Sequence, residues 1–424
     1  MDNVVIAPKM LRGSVVVPPS KSVAHRAIIA AALSGGECII DNLTMSDDIL
    51  ATLEGMRALG SKYTMSKKDK RVRISSKKGV RESAELEIDC AESGSTLRFL
   101  IPISLVYGGN IKFTGRGRLM QRPQNPYIDM FRKKGIKCES GEDCLSFSGQ
   151  LKGGRYEIAG DISSQFITGL LMALPLLEED SEIIVTTSPE SKGYIDITID
   201  VLREFGIEIE NYDYKKYIIK GGQKYTPRNY TVEGDYSQAA FFLVAGALGC
   251  DITCLGLNEK SSQGDSAIVD IIEQAGGKIE KKNGGISAVV SENMHSITVD
   301  ARDIPDLVPI LAVLFAFCKG ESKIVGAGRL RMKESDRLAA ISKELTQLGV
   351  DITEGSDSLT IRGRQAAECG TVSAWSDHRI AMALSIAACR CEGEALTITG
   401  ASAVRKSYPD FYEVYKSLGG DIKG

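Results

Sequence analysis

The sequence predicts an α/β protein in which one βαβαββ unit occurs six times, grouped as two globes of three. Three observations lead there. A segment that is apolar almost all round returns six times, at starts roughly 70 residues apart. Each copy runs through a short glycine- or charge-rich break into an alternating, β-rich stretch such as CIIDNL or ALTITG. Between copies lies an amphipathic stretch that runs into glycine.

In chain order the apolar copies are SKSVAHRAIIAAALSGGECIIDNL from Ser20, ESGSTLRFLIPISLVYGGNIKFTG from Glu92, SSQFITGLLMALPLLEEDSEIIVT from Ser163, DYSQAAFFLVAGALGCDITCLG from Asp235, DIPDLVPILAVLFAFCKGESKIVG from Asp303 and DHRIAMALSIAACRCEGEALTITG from Asp377. A helix that is hydrophobic on every side has no solvent face, so each is expected to be buried. The intervening stretches DDILATLEGMRALG, PYIDMFRKKG, DITIDVLREFG, DSAIVDIIEQAGG and DRLAAISKELTQLG carry an apolar stripe and stop at glycine, as surface helices do. A chain of 424 residues can fill two or three domains, and six such units group most simply as two globes of three.

Composition narrows the function. Hydrophobic residues at 43% and charged residues at 25% are those of a soluble globular protein. With Lys+Arg at 52 against Asp+Glu at 55, a net charge of -3 offers no global basic field, so no nucleic-acid or membrane partner is expected and any anion site must be local. The start MDNVVIAPKMLRG has no apolar signal region, and the run LVPILAVLFAF is too short to span a bilayer; a cytoplasmic location is expected. The ten cysteines form no disulfide framework, and with three histidines the pairs Cys250/Cys254 and Cys389/Cys391 lack partners at metal-ligand spacing. They read as reduced thiols.

The starts of the buried helices are where chemistry can gather. A helix N-terminus offers free N–H groups and about half a positive charge to an anion. Here the starts carry Lys21-Ser22, Gly94-Ser95-Thr96, Ser163-Ser164-Gln165 and Asp377-His378-Arg379. Ser, Thr and Asp are also simply good helix caps, so a single start decides nothing. The recurrence of Lys21, Arg26, Arg98, Arg122, Lys333, Arg337, Arg379 and Lys406 at or beside the starts points to a ligand with several negative charges. If equivalent helices run the same way in both globes, their starts converge on one cleft. The run RLRMKESDR (329 to 337) crowds four cations around Glu334, Ser335 and Asp336; by itself it fits a solvated helix start equally well.

The runs PPSKSVAHRA, SGSTLRFL, the RP of MQRP, SSQFITGLLMALP, SKGYIDIT, EGDYSQAAFFL, IPDLVPILA, RMKESDRL, SDHRIAMAL and KSYPDFYE resemble, in order along the whole chain, the 5-enolpyruvylshikimate-3-phosphate synthases of the enolpyruvyl transferase family. The resemblance implies a two-globe inside-out α/β barrel, one globe of residues 20-233 and another of 1-19 with 234-424, with the active site in the cleft between them. It implies transfer of the enolpyruvyl group of phosphoenolpyruvate to the 5-hydroxyl of shikimate 3-phosphate with release of phosphate, by a monomer that needs no metal or organic cofactor. The shikimate 3-phosphate site would comprise Lys21, Ser22, Arg26, Ser163, Ser164, Gln165, Ser191, Tyr194, Asp306 and Lys333. The phosphoenolpyruvate site would comprise Lys21, Gly94, Ser95, Arg122, Gln165, Arg337, Arg379 and Lys406. Asp306 and Glu334 would be the catalytic base and acid, with Lys21 also in the catalytic set. Forked guanidinium donors suit carboxylate and phosphate, and lysine supplies a compact charge.

Three positions depart from the family pattern: Phe99 stands where many members have proline, Glu92 where many have asparagine, and Arg329 where many have an asparagine against the shikimate phosphate. Two alternatives are distinguishable. A transferase acting on UDP-N-acetylglucosamine would show Lys-Asn in place of Lys21-Ser22 and a reactive cysteine in the loop TGRGRLMQRPQ, which contains none. A catalytically inactive phosphosugar-binding protein would be expected to have lost Lys21, Asp306 or Glu334, and all three are present.

Overall fold

Residues 2–76, 85–282 and 284–423 are described by the structure, a computed structural model. They divide into two units, Lys21–Val232 and the two segments Met1–Ser20 and Glu233–Gly424 taken together. In the first unit the helices are α1 (Lys21–Leu33), α2 (Asp47–Ala58), α3 (Gly94–Val106), α4 (Asn125–Lys133), α5 (Ser164–Ala173) and α6 (Lys192–Glu204). In the second they are α7 (Tyr236–Ala247), α8 (Ile268–Gln274), α9 (Val308–Phe315), α10 (Arg337–Gln347), α11 (His378–Ala387) and α12 (Phe411–Ser417).

The odd-numbered helices are the six apolar copies. In α7, for example, every residue is buried. The even-numbered helices are the amphipathic ones, and each stops the same way. The second residue after it, Gly60, Gly135, Gly206, Gly276, Gly349 or Gly419, takes φ between +79° and +99°. The following N–H then turns back onto the helix, as Ser61 does to the Met56 carbonyl at 3.1 Å. Helix α12 is additional to the five amphipathic stretches read from the sequence; at 7 residues it is too short to show a clear 3.6-residue period.

Among the described residues each unit has three four-stranded sheets built to one plan. Strand Glu85–Asp89 lies parallel to Asn110–Thr114, which is antiparallel to Cys144–Ser148, itself antiparallel to Lys137–Ser140. In chain order this is strand, α3, strand, α4, strand, strand, the βαβαββ unit that the repeats predict. Burial alternates along Asn110–Thr114, so one face meets the helices and the other meets solvent. Helices inside and sheets outside make each unit an inside-out α/β barrel.

Three of the six repeats borrow a strand from elsewhere in the chain. Tyr230–Thr231 supplies the parallel first strand beside Glu37–Asp41, and Arg12–Val16 supplies that beside Asp251–Leu255. Asn3–Ala7 inserts between Leu396–Thr399 and Asp421–Lys423. Where the chain leaves and re-enters the second unit, the Ser20 N–H donates to the Glu233 carbonyl at 2.7 Å. Among the described residues each unit has its own hydrophobic core, drawn from that unit alone. Within the first, α3 and α5 approach closely at Gly169, where a Cβ would collide with the Arg98 carbonyl oxygen and the Tyr127 hydroxyl.

Candidate active site

In the unit Lys21–Val232 the starts of the buried helices are tied together by two guanidinium groups. Arg26, on α1, is 2% exposed. Its Nε donates to Thr198 Oγ1 at 2.8 Å, Nη1 to the Ser22 carbonyl at 2.6 Å, and Nη2 to the Tyr194 carbonyl at 3.0 Å and Thr168 Oγ1 at 3.3 Å. Phe99 lies beneath the guanidinium, 5.1 Å from its carbon to the ring centre. Burial pushes the Arg26 guanidinium down to about 9, which leaves it cationic at neutral pH. Arg98, on α3, donates to Gln165 Oε1 at 2.8 Å, to Ser163 Oγ at 3.4 Å and to the Pro123 carbonyl at 3.0 Å.

The predicted ligand-binding residues of this unit cluster around these two groups. Gln165 joins α5 to α3 by donating to Ser95 Oγ at 3.0 Å, while Ser163 caps α5, next to the buried Ser164. Gly94 opens α3 with the Arg122 guanidinium against it, both terminal nitrogens 3.0 Å from where a Cβ would stand. Ser191 precedes α6 in a left-handed conformation, φ +59°. Lys21, the first residue of α1, pairs with Asp48 at 2.7 Å. His25 is wholly buried, and burial, together with Lys21 and Arg26, holds its imidazole well below the usual range and therefore neutral.

In the other unit the cluster centres on Arg337, 1% exposed at the start of α10. Its Nε donates to Asp377 Oδ2 at 2.8 Å, Nη1 to Asp306 Oδ1 at 2.9 Å and Nη2 to Glu334 Oε2 at 2.8 Å. Burial opposes its charge, and the carboxylates of Asp377, Glu334 and Asp306 outweigh that and hold it protonated. Arg379, on α11, donates to the other oxygen of Asp306 at 2.8 Å and to Ser237 Oγ on α7 at 3.1 Å. Lys333 Nζ stands 3.6 Å from Asp306. Three carboxylates thus face three cations, and Asp306 and Glu334 share one guanidinium. Lys406 lies to one side, donating to the Ser376 carbonyl at 2.8 Å.

This sorts the four cations of RLRMKESDR. Lys333 and Arg337 belong to the cluster. Arg331 does not: it pairs with Asp336, the cap of α10, and with Glu354, and donates to the Gly355 and Ser356 carbonyls. Arg329 donates to the Arg302 carbonyl. Of the other departures, Phe99 packs under Arg26 and Glu92 lies against Gly117. Sequence reasoning missed Asp377 as the partner of Arg337, Ser237 as the acceptor of Arg379, and Arg98 as the tie between α3 and α5. Asp377 and Arg98 were visible as polar residues at helix starts, but their partners lie 40 and 67 residues away. Among the described residues no group of His, Cys, Asp and Glu is arranged to hold a metal ion. No described helix is long and apolar enough to cross a membrane.

The family model for EPSP synthase (3-phosphoshikimate 1-carboxyvinyltransferase) matches residues 5–415. The chain is 48% identical to a 3-phosphoshikimate 1-carboxyvinyltransferase of Clostridium perfringens, covering 100% of both chains. It is 49% identical to that of Clostridium acetobutylicum, covering 100% of this chain and 98% of the relative. Among solved structures, an EPSP synthase from Acinetobacter baumannii superposes with a TM-score of 0.82 at 26% identity over 100% of both chains. The enolpyruvyl transferase NikO of Streptomyces tendae, at 18% identity and a TM-score of 0.82, shares the fold. With the repeats, the fold and near-half identity over full length in agreement, the chain belongs to the EPSP synthase (3-phosphoshikimate 1-carboxyvinyltransferase) family.

Proposed function

We propose that the protein transfers the enolpyruvyl group of phosphoenolpyruvate to the 5-hydroxyl of shikimate 3-phosphate and releases phosphate. The observation that carries the mechanism is the sharing of Arg337 between Asp306 and Glu334, which sets two carboxyl groups of opposite task on one buried cation. Asp306 takes the proton of the 5-hydroxyl as that oxygen attacks C2 of phosphoenolpyruvate. Glu334, in its acid form, gives a proton to the methylene carbon, and a tetrahedral intermediate results. In the collapse the methyl group returns a proton to the Glu334 carboxylate, the double bond of the enol ether forms as the C2–O bond to phosphate breaks, and the proton held by Asp306 leaves with the phosphate. An anionic substrate competes with Glu334 for the Arg337 N–H groups, which favours the acid form that the first step needs. The cations hold charge that develops on the carboxylate and phosphate without reorganising.

The proposal draws on both clusters within the framework of two globes, 20-233 and 1-19 with 234-424. Ser22, Arg26, Ser163, Ser164, Gln165, Ser191, Tyr194, Asp306 and Lys333 serve shikimate 3-phosphate. Gly94, Ser95, Arg122, Gln165, Arg337, Arg379 and Lys406 serve phosphoenolpyruvate, and Lys21 serves both. The reading assigns no metal or organic cofactor, and takes the enzyme as a cytoplasmic monomer. Phosphate release should require both substrates, persist in EDTA, and fail when UDP-N-acetylglucosamine replaces shikimate 3-phosphate. Activity that EDTA abolishes and a divalent ion restores, or turnover of the nucleotide sugar, would refute it.

A further inference from the structure

Between strand Thr371–Ser373 and α11 the chain makes a tight turn whose two central residues, Trp375 and Ser376, both have φ +52°. The turn closes with the Asp377 N–H donating to the Ala374 carbonyl at 2.8 Å. A turn with positive φ at both centres suits Gly and Asn, and neither residue here is one. Such a conformation persists only where its surroundings over-determine it. The holding group is Glu344, 2% exposed on α10. Its Oε1 accepts from Trp375 Nε1 at 2.7 Å and its Oε2 from the Ser373 N–H at 2.8 Å. Among the described residues no lysine or arginine nitrogen lies in ion-pair range of this buried carboxylate, so the two N–H groups are what keep it there.

The turn bears on the cluster through its last two residues. The Ser376 carbonyl accepts from Lys406 Nζ at 2.8 Å, and Asp377 accepts from Arg337. Arg337 and Glu344 are seven residues apart on α10, two turns along one face. One helix therefore grips Asp377 with its first residue and the preceding turn with its second contact.

We propose that Glu344 is a positioning residue for the phosphoenolpyruvate half of the site, holding the left-handed Trp375–Ser376 turn so that the Ser376 carbonyl sets Lys406 and Asp377 sets Arg337. The inference rests on the reading that Lys406 and Arg337 serve phosphoenolpyruvate.

Glu344→Gln replaces one acceptor oxygen by an N–H donor and cannot satisfy both N–H groups. It should raise the KM for phosphoenolpyruvate about tenfold while the KM for shikimate 3-phosphate changes less than about twofold. Emission of Trp375, the single tryptophan, should shift with loss of its indole hydrogen bond. Adding Ser376→Gly relieves one of the two left-handed residues, and the double variant should recover part of the phosphoenolpyruvate KM; a generally weakened fold would not be rescued by glycine. If Glu344→Gln does not fold, Trp375→Phe, which removes one donor alone, should show the same substrate selectivity at about threefold. Equal KM changes for both substrates, or no recovery with glycine, overturn the proposal. Lys406→Met separates the two layers. If it raises the phosphoenolpyruvate KM while Glu344→Gln does not, the positioning role is wrong and the site reading stands; if it leaves that KM unchanged, both fall.

Discussion

Lys333 and Glu334 are neighbours in sequence with opposite proposed duties, and each gives a sharp expectation. Loss of hydration pushes the Lys333 ammonium down to about 8, with Asp306 pulling it up and Arg337 pushing it further down. Its side chain keeps 26% exposure, so an arriving anion can reach it. In an unfolded chain a lysine titrates near about 10.4. Below pH 8 both states carry the charge and the folded one bears the penalty; between pH 8 and about 10.4 the unfolded state binds more protons, so this group favours folding more as pH rises. For binding of shikimate 3-phosphate, the role proposed for Lys333, the sign is reversed, because the neutral amine attracts no anion. We expect kcat/KM for shikimate 3-phosphate to fall as pH rises through about 8. The same limb should vanish in Lys333→Arg, whose lower activity stays flat there; a limb that survives would assign the titration elsewhere. Glu334→Gln keeps shape and removes the proposed proton donor. It should lower turnover at least about 100-fold with shikimate 3-phosphate affinity within about threefold, measured by single-turnover phosphate release and direct binding. Loss of binding with turnover per bound substrate intact would make Glu334 structural.

The buried helices are the elements most legible in the sequence, because a segment apolar on every side has one physical home. Their order, the glycine stops and the βαβαββ plan could be read for the same reason: each is a local pattern. What could not be read is which strand joins which sheet. Tyr230–Thr231 pairs with residues about 190 positions earlier, and two residues carry no period of their own. The family resemblance names charged residues for the proposed site, and only the structure divides them by what they touch. Arg26 shows the difference. It reads as a ligand for shikimate 3-phosphate, and it also staples α1 to α5 and α6 through Thr168, Thr198 and the Tyr194 carbonyl. Arg26→Ala should therefore cost about 2–4 kcal/mol of unfolding free energy, from buried acceptors left unpaired, as well as weaken substrate binding. Urea denaturation without ligand checks this: an unchanged midpoint would leave Arg26 a binding residue alone.

Each half of the molecule closes on itself. The core of Lys21–Val232 draws only on that unit, and all three of its sheets are completed within it, the last by Tyr230–Thr231. The end of the chain segment is fastened: the Ile39 N–H donates to Asn229 Oδ1 at 2.9 Å, the Val232 N–H to the Asp41 carbonyl at 3.0 Å, and Asn42 Nδ2 to the Val232 carbonyl at 2.7 Å. The other unit is interrupted in sequence but not in space, since Ser20 and Glu233 share a 2.7 Å hydrogen bond across the point of interruption. A self-contained core of this size is enough for independent stability. We therefore expect the fragment Lys21–Val232 to fold alone with a cooperative urea transition, and the chain with Ser20 joined to Glu233 through a short glycine-serine link to do the same. Ending the first fragment at Arg228 removes the fastening bonds and the edge strand, and should lower its stability by about 2–4 kcal/mol. Circular dichroism during urea titration decides: a broad, non-cooperative loss of signal in the full fragment would mean that the unit depends on its neighbour for more than its sequence supplies, and no difference on trimming to Arg228 would mean that the edge strand and its fastening bonds add nothing to stability.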